Sequence, residues 1–241
     1  MTEENKKEIL VRAQEWFKSG IMEQHIVNTK KLVSPSEFNI NPFLVTYLAT
    51  FLTGNASPES IAKALVYPRV LGTSITTSFG THIQRFTSDV LSSYASTTRG
   101  IDIEFIDAID NRRKYCQLKA GPNTINKDDV ETIANHFKGV KNLARTNNLN
   151  ISFNDLIVGV IYGDESQLNG HYKRITSQYD YPVLVGRDFW YHLTGDKKLY
   201  FDLIKAVGAV VSESGFSEGL QKVIAELALQ PEIIAISETS S

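Results

Sequence analysis

The chain has 241 residues, of which 42% are hydrophobic and 10% aromatic, enough to bury a core of ordinary size without disulfides or structural metals. Its single cysteine, Cys116, excludes a disulfide framework within one chain, and no spacing typical of a zinc site surrounds it. The formal net charge of −2 lacks the basic excess that is usual in nucleic-acid-binding proteins. Basic residues are nevertheless clustered at 112–114 and 138–145, so the overall charge does not decide the partner.

The chain shows no targeting or membrane-spanning segment. No stretch is apolar over the roughly eighteen residues that a membrane helix needs, and the polar start MTEENKKEI is unlike a signal or transit peptide. We therefore expect a soluble protein of the reducing cytoplasm, with no membrane partner.

The first third of the sequence is typical of helices. Residues 4–18 repeat apolar side chains at helical spacing, and Gly20 follows as the expected end of that helix. Asn41 and Ser57 each precede a proline, which is the pattern of a capped helix start. A further helix is predicted over residues 79–94.

The pattern changes at Ile101, where IDIEFIDAI and KYCQLKA alternate like strands around a DNRR turn. A helix capped by Asn126, a buried strand over 155–163, a short strand over 182–185 and helical C-terminal segments follow. The tail beyond Gln230 is expected to be weakly ordered. This order predicts an α/β fold, a mixed β-sheet flanked by helices with an N-terminal helical region.

A two-residue turn at positions 110–111 would fix the register of the predicted hairpin. Asp102 then faces Lys119, and Glu104 faces Gln117. Because side chains alternate across a strand, these four polar residues share one face. The opposite, apolar face carries Ile103, Phe105, Cys116 and Leu118.

Two interpretations of the polar face stay open. It is often only a solvated surface with cross-strand ion pairs. The same residue types also suit phosphodiester hydrolysis, which needs a hard cation, oxygen ligands and a positive charge near the nucleophile. In that case Asp102, Gln117 and the Leu118 backbone carbonyl bind the metal, and Lys119 acts on the attacking water. Glu104 is a supporting candidate.

GID followed after fourteen residues by QLK resembles the split acidic motif of PD-(D/E)XK nucleases. Over residues 38–195 the chain is similar to type II restriction endonucleases, particularly the PmeII-type family. The stretches that carry this similarity are INPF at 40–43, YPRVLGTS at 67–74, TSFGT at 77–81, AGPNTIN and DLIVGVIYG. The resemblance implies a restriction-endonuclease-like fold, Mg²⁺ as cofactor, double-stranded DNA as substrate, a homodimer and a companion DNA methyltransferase.

Carried onto this chain, the resemblance makes Asp102 the motif aspartate and Lys119 the motif lysine. Gln117 stands where many members have Glu, and Gln84 lies on the preceding helix, where many members place a supporting Glu. We assign residues 1–76 to a helical region for dimerisation or DNA grip. Residues 77–241 are assigned to the nuclease core with its C-terminal helices.

Two further functions remain open. A repair or methylation-dependent nuclease would share this core, because the catalytic motif does not encode the substrate. A DNA-binding module without activity is the second alternative, because Gln117 is neutral where many members carry an acid.

Overall fold

The structure, a computed structural model, describes residues 2–82, 85–91, 94–212 and 216–239. The chain divides into two compact units. The sheet unit comprises Met1–Gln14 and Ile83–Val207, and the helical unit comprises Glu15–His82 and Gly208–Ser241. This division differs from the predicted one, because the C-terminal residues group with the helical unit and the first fourteen with the sheet unit.

Helices form most of the chain before the sheet, and the capping predictions there are confirmed. Asn41 accepts hydrogen bonds from the main-chain N–H groups of Phe43 and Leu44, and Ser57 accepts one from Ser60. The elements are α1 (Glu3–Trp16), a π-helical turn (Phe17–Met22), α2 (Glu23–Lys30), α3 (Pro42–Thr53), α4 (Pro58–Pro68), a second π-helical turn (Arg69–Ser74), α5 (Ile75–His82) and α6 (Phe86–Asp89).

Gly20 does not end the first helix, contrary to the prediction. The chain continues through the π-helical turn into α2. A Cβ at Gly20 would lie 3.1 Å from Nδ1 of His82, so glycine lets the imidazole pack closely against this turn. The residue type thus reflects a tertiary contact rather than a helix end.

The sheet is mixed and four-stranded, with the order β1-β2-β3-β4, which confirms the predicted fold class. The strands β1 and β2 are antiparallel, and β2, β3 and β4 are parallel. The elements of this region are β1 (Ile103–Ile106), β2 (Arg113–Lys119), α7 (Lys127–Thr146), β3 (Leu156–Val160), α8 (Gly170–Tyr179), β4 (Val183–Val185), α9 (Arg187–Thr194) and α10 (Leu199–Ser212).

Helices cover both faces of the sheet. Phe137 and Val140 of α7 belong to one buried cluster with Val158 and Val160 of β3. On the opposite face, Cβ placed on Gly159 would lie within 3 Å of both the Phe189 ring and the Cys116 sulfur. Cys116 is fully buried, as the apolar face predicts, and burial is the largest cause that raises the pKa of its thiol.

Two helices follow the sheet unit, α11 (Phe216–Ala228) and α12 (Pro231–Glu238). The prediction of a weakly ordered tail is wrong, because α12 anchors Ile233 in the core of the helical unit beside residues of α4 and α11. None of the helices in the described part of the chain has the length and apolar content of a membrane span.

The predicted register of the β1–β2 hairpin is wrong by two residues. Ile103 pairs with Cys116 and Glu104 pairs with Tyr115. A longer loop replaces the two-residue turn, closed by a hydrogen bond from the Asp107 N–H to the Arg112 carbonyl. A shift of two keeps every strand residue on its predicted face, because the side-chain period of a strand is two.

Buried charges fix the tip of this hairpin. Lys114 pairs with Asp107, Asp110 and Asp155, and Arg112 also pairs with Asp155. These contacts span the loop and the start of β3, so they tie the hairpin into the sheet unit. They also give Asp107 and Asp110 a structural role at the tip of the hairpin.

Candidate active site

Asp102 precedes β1 and is directed toward the end of β2. Its N–H donates to the carbonyl of Cys116 over 3.0 Å, although Cys116 pairs with Ile103. Asp102 and Ile103 thus lie opposite the single residue Cys116, as in a β-bulge. Such a bulge commonly changes the direction of a side chain. Oδ2 of Asp102 in turn accepts a hydrogen bond from the Leu118 N–H over 2.7 Å. The bulge therefore brings the acid to the strand that carries the QLK motif.

The electrostatic surroundings of Asp102 act in both directions. Neighbouring protein atoms desolvate the Asp102 carboxyl. This desolvation is the largest influence on the pKa of the group and raises it. The hydrogen bond from Leu118 and the electrostatic interactions with Lys119 and His136 oppose this rise. Asp102 thus lies within electrostatic reach of Lys119 and His136.

Gln117 is buried beneath this site, with its amide in a defined orientation. Nε2 donates to the carbonyl of Gly100 over 2.5 Å and lies 2.6 Å from Nδ1 of His136 on α7. An amide nitrogen can only donate, so the imidazole nitrogen accepts. Oε1 makes no hydrogen bond with any residue that the structure describes and is therefore available to a ligand.

Lys119 ends β2 and is directed toward the N-terminus of α7. Its Nζ lies 3.7 Å from Oδ1 of Asp129, and about a quarter of its side chain is exposed. Asp129 is itself fixed, because its Oδ2 accepts the N–H of Asn126 in a capping box. The helix start thus holds the ammonium group near the end of β2.

The carbonyl of Leu118 is expected at the same edge as Asp102. The N–H and C=O groups of one strand residue point to the same side. The N–H of Leu118 meets Asp102, whereas the carbonyl of Lys119 accepts from Ile161 on the β3 side. The Leu118 carbonyl therefore points toward the Asp102 side of β2, where β1 has not yet begun.

The two supporting candidates have different outcomes. Glu104 accepts hydrogen bonds from Ser96 at 2.6 Å and Thr98 at 2.8 Å and pairs with Arg113 at 3.1 Å. Burial alone would raise the pKa of Glu104, but these contacts outweigh it and lower the pKa. The carboxylate is thus engaged with the segment before β1. Gln84 lies outside the described residues.

The donor set around Asp102 fits a hard divalent cation that keeps part of its water shell. One carboxylate, the free Oε1 of Gln117 and a main-chain carbonyl are all oxygen donors, the kind that Mg²⁺ prefers. Over the described ranges, no group of three or more His, Cys, Asp and Glu could hold a metal. A site with one protein carboxylate still suits Mg²⁺, which commonly binds through one or two carboxylates plus substrate phosphates.

Three neighbours of the motif were not singled out from the sequence. His136 and Asp129 are seven residues apart on α7, about two helical turns, and so share a face. Gly100 has a φ of 78°, and Cβ placed on it would lie 2.5 Å from Cγ of His136. The i, i+7 spacing on a capped helix after the QLK strand is the signal that could have indicated the two α7 residues.

Comparison with known proteins identifies the family of the chain. A family model described as type II restriction endonuclease EcoO109I matches residues 41–214, which is more than two thirds of the chain. The match supports the predicted type II restriction endonuclease and does not specify the PmeII type. No curated protein matches the chain. The chain therefore belongs to the type II restriction endonuclease EcoO109I family, and it is a deoxyribonuclease that acts on phosphodiester bonds.

Proposed function

We propose that the enzyme hydrolyses duplex DNA at a short specific sequence with Mg²⁺, and that Asp102, Gln117 and Lys119 form its active site. One observation carries this proposal. The Asp102 carboxylate is hydrogen-bonded to the main chain of the strand that presents Gln117 and Lys119, and the Gln117 side-chain oxygen makes no hydrogen bond with any described residue.

The metal would be held by the Asp102 carboxylate, Oε1 of Gln117 and the Leu118 carbonyl. When bound, Mg²⁺ supplies positive charge for the scissile phosphate and lowers the pKa of a water molecule. The chain itself provides the orientation, because burial of Gln117 and the Leu118 hydrogen bond to Asp102 restrict where these oxygens can lie.

Lys119 supplies the positive charge of the protein at this site. Its ammonium group lies near Asp129 on one side and within electrostatic reach of Asp102 on the other. In that position it orients the attacking water and stabilises the negative charge that develops on the phosphate. Asp129 keeps the flexible side chain directed toward the end of β2.

A homodimer is the second part of the proposal, and the surface of α3 supports it. Six large apolar side chains of this one helix are exposed, among them Phe43 at 88% and Phe51 at 79%. No charged residue lies between Glu37 and Glu59, so this face cannot contact phosphates through ion pairs. An apolar patch of this kind marks an interaction surface. Of the two predicted roles for the N-terminal helices, dimerisation therefore fits better than DNA grip.

The second basic cluster is the candidate for contact with the DNA backbone. Within the first cluster, Arg112, Arg113 and Lys114 are all paired with acids. The second, Lys138, Lys141 and Arg145 on the exposed face of α7, has no ion pair with any acid in the described residues. Uncompensated charge of this kind supplies salt-dependent affinity for phosphates.

A restriction function also implies protection of the host DNA. We propose a companion DNA methyltransferase that modifies the same sequence, with both proteins acting in the cytoplasm. The DNA-cleaving role of the family supports this partner, since an unprotected chromosome would itself be a substrate.

Digestion of a sequenced plasmid with purified enzyme and Mg²⁺, followed by mapping of the ends, tests the proposal. The wild-type enzyme should give discrete ends at one recurring sequence, and Asp102→Asn should give none while remaining folded. Random ends, or cleavage by Asp102→Asn at the wild-type rate, would reject the specific function or the site.

The same digest separates the alternatives. A restriction enzyme cuts unmodified plasmid, whereas a methylation-dependent nuclease requires the methylated form. An inactive DNA-binding module would cut neither, and calorimetric titration with Mn²⁺ in the presence of DNA would show no metal binding.

A further inference from the structure

We propose that His136 is a positioning residue that fixes the Gln117 amide, so that its oxygen rather than its nitrogen is presented to the metal. The proposal rests on the proposed function only for the identity of the ligand. The juxtaposition of His136, Gln117 and Gly100, which we term the Gln117 clamp, is an observation of the structure itself.

Two acceptors determine which way the amide faces. Nε2 of Gln117 lies 2.5 Å from the Gly100 carbonyl and 2.6 Å from Nδ1 of His136. Rotating the amide by half a turn would place Oε1 against the Gly100 carbonyl, where two acceptors would meet without a proton between them. Leaving a buried polar group without a hydrogen-bond partner in this way is unfavourable. The orientation with Oε1 free is therefore strongly preferred.

Gly100 makes room for the imidazole and supplies the second acceptor. Its φ of 78° lies in the left-handed region that favours glycine, and an added Cβ would lie 2.5 Å from Cγ of His136. Any other residue here would displace the ring from Gln117. The three residues therefore depend on one another, although 36 positions of chain separate Gly100 from His136.

The clamp explains why residue 117 carries an amide, although the resemblance leads one to expect an acid at this motif position. A glutamate at 117 has no hydrogen to donate, so its carboxylate would stand against the Gly100 carbonyl and lose that hydrogen bond, and it would keep the contact with His136 only if the imidazole changed tautomer. In this chain a carboxylate is thus disfavoured by the surroundings, even though it would add negative charge for the metal. The clamp therefore predicts that Gln117→Glu weakens metal binding.

The first test needs no metal. In the proton–nitrogen correlation spectrum of the full chain, the Gln117 side-chain NH₂ signals can be assigned by their loss in Gln117→Ala. We expect these signals to exchange slowly with water in the wild type and quickly in His136→Leu. His136→Asn, whose amide oxygen can take the place of Nδ1 as acceptor, should restore slow exchange.

The second test measures Mn²⁺ binding by the loss of the free-ion signal in electron paramagnetic resonance. Loss of an outer partner of a ligand typically weakens metal affinity about 10- to 100-fold, and we expect that loss for His136→Leu and its recovery in His136→Asn. In a Gln117→Ala background, His136→Leu should have no further effect, because interacting residues are not additive.

Equal affinities of His136→Leu and wild type, or equal losses in the Leu and Asn variants, would overturn the clamp. So would unchanged NH₂ exchange in His136→Leu. Should His136→Leu fail to fold, the Mn²⁺ affinity of Gln117→Glu tests the clamp instead. Weaker binding than in the wild type supports the clamp, and tighter binding contradicts it. Failure of the metal site itself looks different: wild type and Asp102→Ala would then bind Mn²⁺ equally, and the NH₂ exchange would still report on the clamp.

Discussion

The main-chain N–H of Leu118 donates to Oδ2 of Asp102 over 2.7 Å. The two parts of the motif are thus joined through the backbone of β2 and not only through flexible side chains. Because Lys119 is the next residue along this strand, the hydrogen bond sets the position of the Asp102 carboxylate relative to the backbone of Lys119. The prediction for Lys119 depends on this arrangement.

Lys119→Ala is expected to remove cleavage and leave specific DNA binding largely intact. Removal of one group that stabilises transition-state charge typically lowers the rate about 10²- to 10³-fold. Plasmid cleavage rates and a gel-shift assay with a duplex that contains the mapped site measure the two effects. Lys173→Ala, which removes an exposed lysine on α8, is the matched control and should cleave normally. Normal cleavage by Lys119→Ala would exclude this lysine from the reaction.

A charge on the apolar face of α3 is expected to convert the dimer to monomers. Phe51→Glu would place a carboxylate where a second copy should bury an aromatic ring, whereas in the monomer this side chain is 79% exposed. The melting temperature of the isolated chain should therefore change little. Sedimentation velocity at several protein concentrations measures the association.

Leu71→Glu provides the control for the dimer prediction, because Leu71 is 68% exposed in the same helical unit but lies outside α3. It should sediment like the wild type. A wild-type protein that is monomeric at all concentrations, or a Phe51→Glu protein that remains dimeric, contradicts α3 as the interface.

The ion pair between Asp155 and Arg112 makes stability depend on acidity. The Arg112 hydrogen bond is the largest cause that lowers the pKa of Asp155 below its ordinary value of 3.8. A carboxyl with a lowered pKa stabilises the fold above its unfolded pKa, and this contribution is lost as pH falls through the folded value. The free energy of unfolding should therefore drop below about pH 4, and Asp155→Asn should flatten that drop.

Urea unfolding between pH 7 and pH 3 measures this dependence. At neutral pH, Asp155→Asn should cost about 3 kcal/mol, because it breaks a charge pair whose acid is buried beside Lys114. Asp188→Asn is the control, since the pair between Asp188 and Arg187 is largely exposed and should contribute little. The same acid slope in Asp155→Asn and wild type would remove Asp155 as its cause.

The basic face of α7 should contribute to the salt dependence of DNA binding. Lys138→Ala with Arg145→Ala is expected to reduce the slope of log affinity against log salt by about one for each phosphate that the protein no longer neutralises. Lys141 is better left intact, because its Nζ lies 3.1 Å from the centre of the Phe153 ring and supports packing. Lys63→Ala is the control, because Lys63 pairs with Glu59 on α4. An unchanged salt dependence in the double variant would show that the DNA backbone does not contact this face of α7.

The sequence was sufficient for the faces of the hairpin but not for its register. Alternation along β1 and β2 placed Gln117 and Lys119 together and Cys116 in the core. The turn was mispredicted because Asp107 is buried and bonded to His192, 85 residues away, and local spacing does not show such a contact. The error left Gln117 and Lys119 on one face of β2, since a two-residue shift preserves the faces.

The residues that surround the motif were harder to predict for the same reason. The role of His136 depends on the nearness of Gly100 and Gln117 in space, which no local sequence pattern shows. The order of α12 likewise depends on Ile233 finding a core built by α4 and α11. Periodicity indicates that a helix can form, but not what it packs against.

Cys116 has a practical consequence for work on this enzyme. It is the only thiol of the chain, lies fully buried on the face of β2 opposite Gln117, and burial raises its pKa. A thiol reagent can therefore react only when the sheet opens. The rate at which Cys116 reacts with a coloured aromatic disulfide reagent would then measure how often β2 opens. This measurement needs neither a modified protein nor an attached probe.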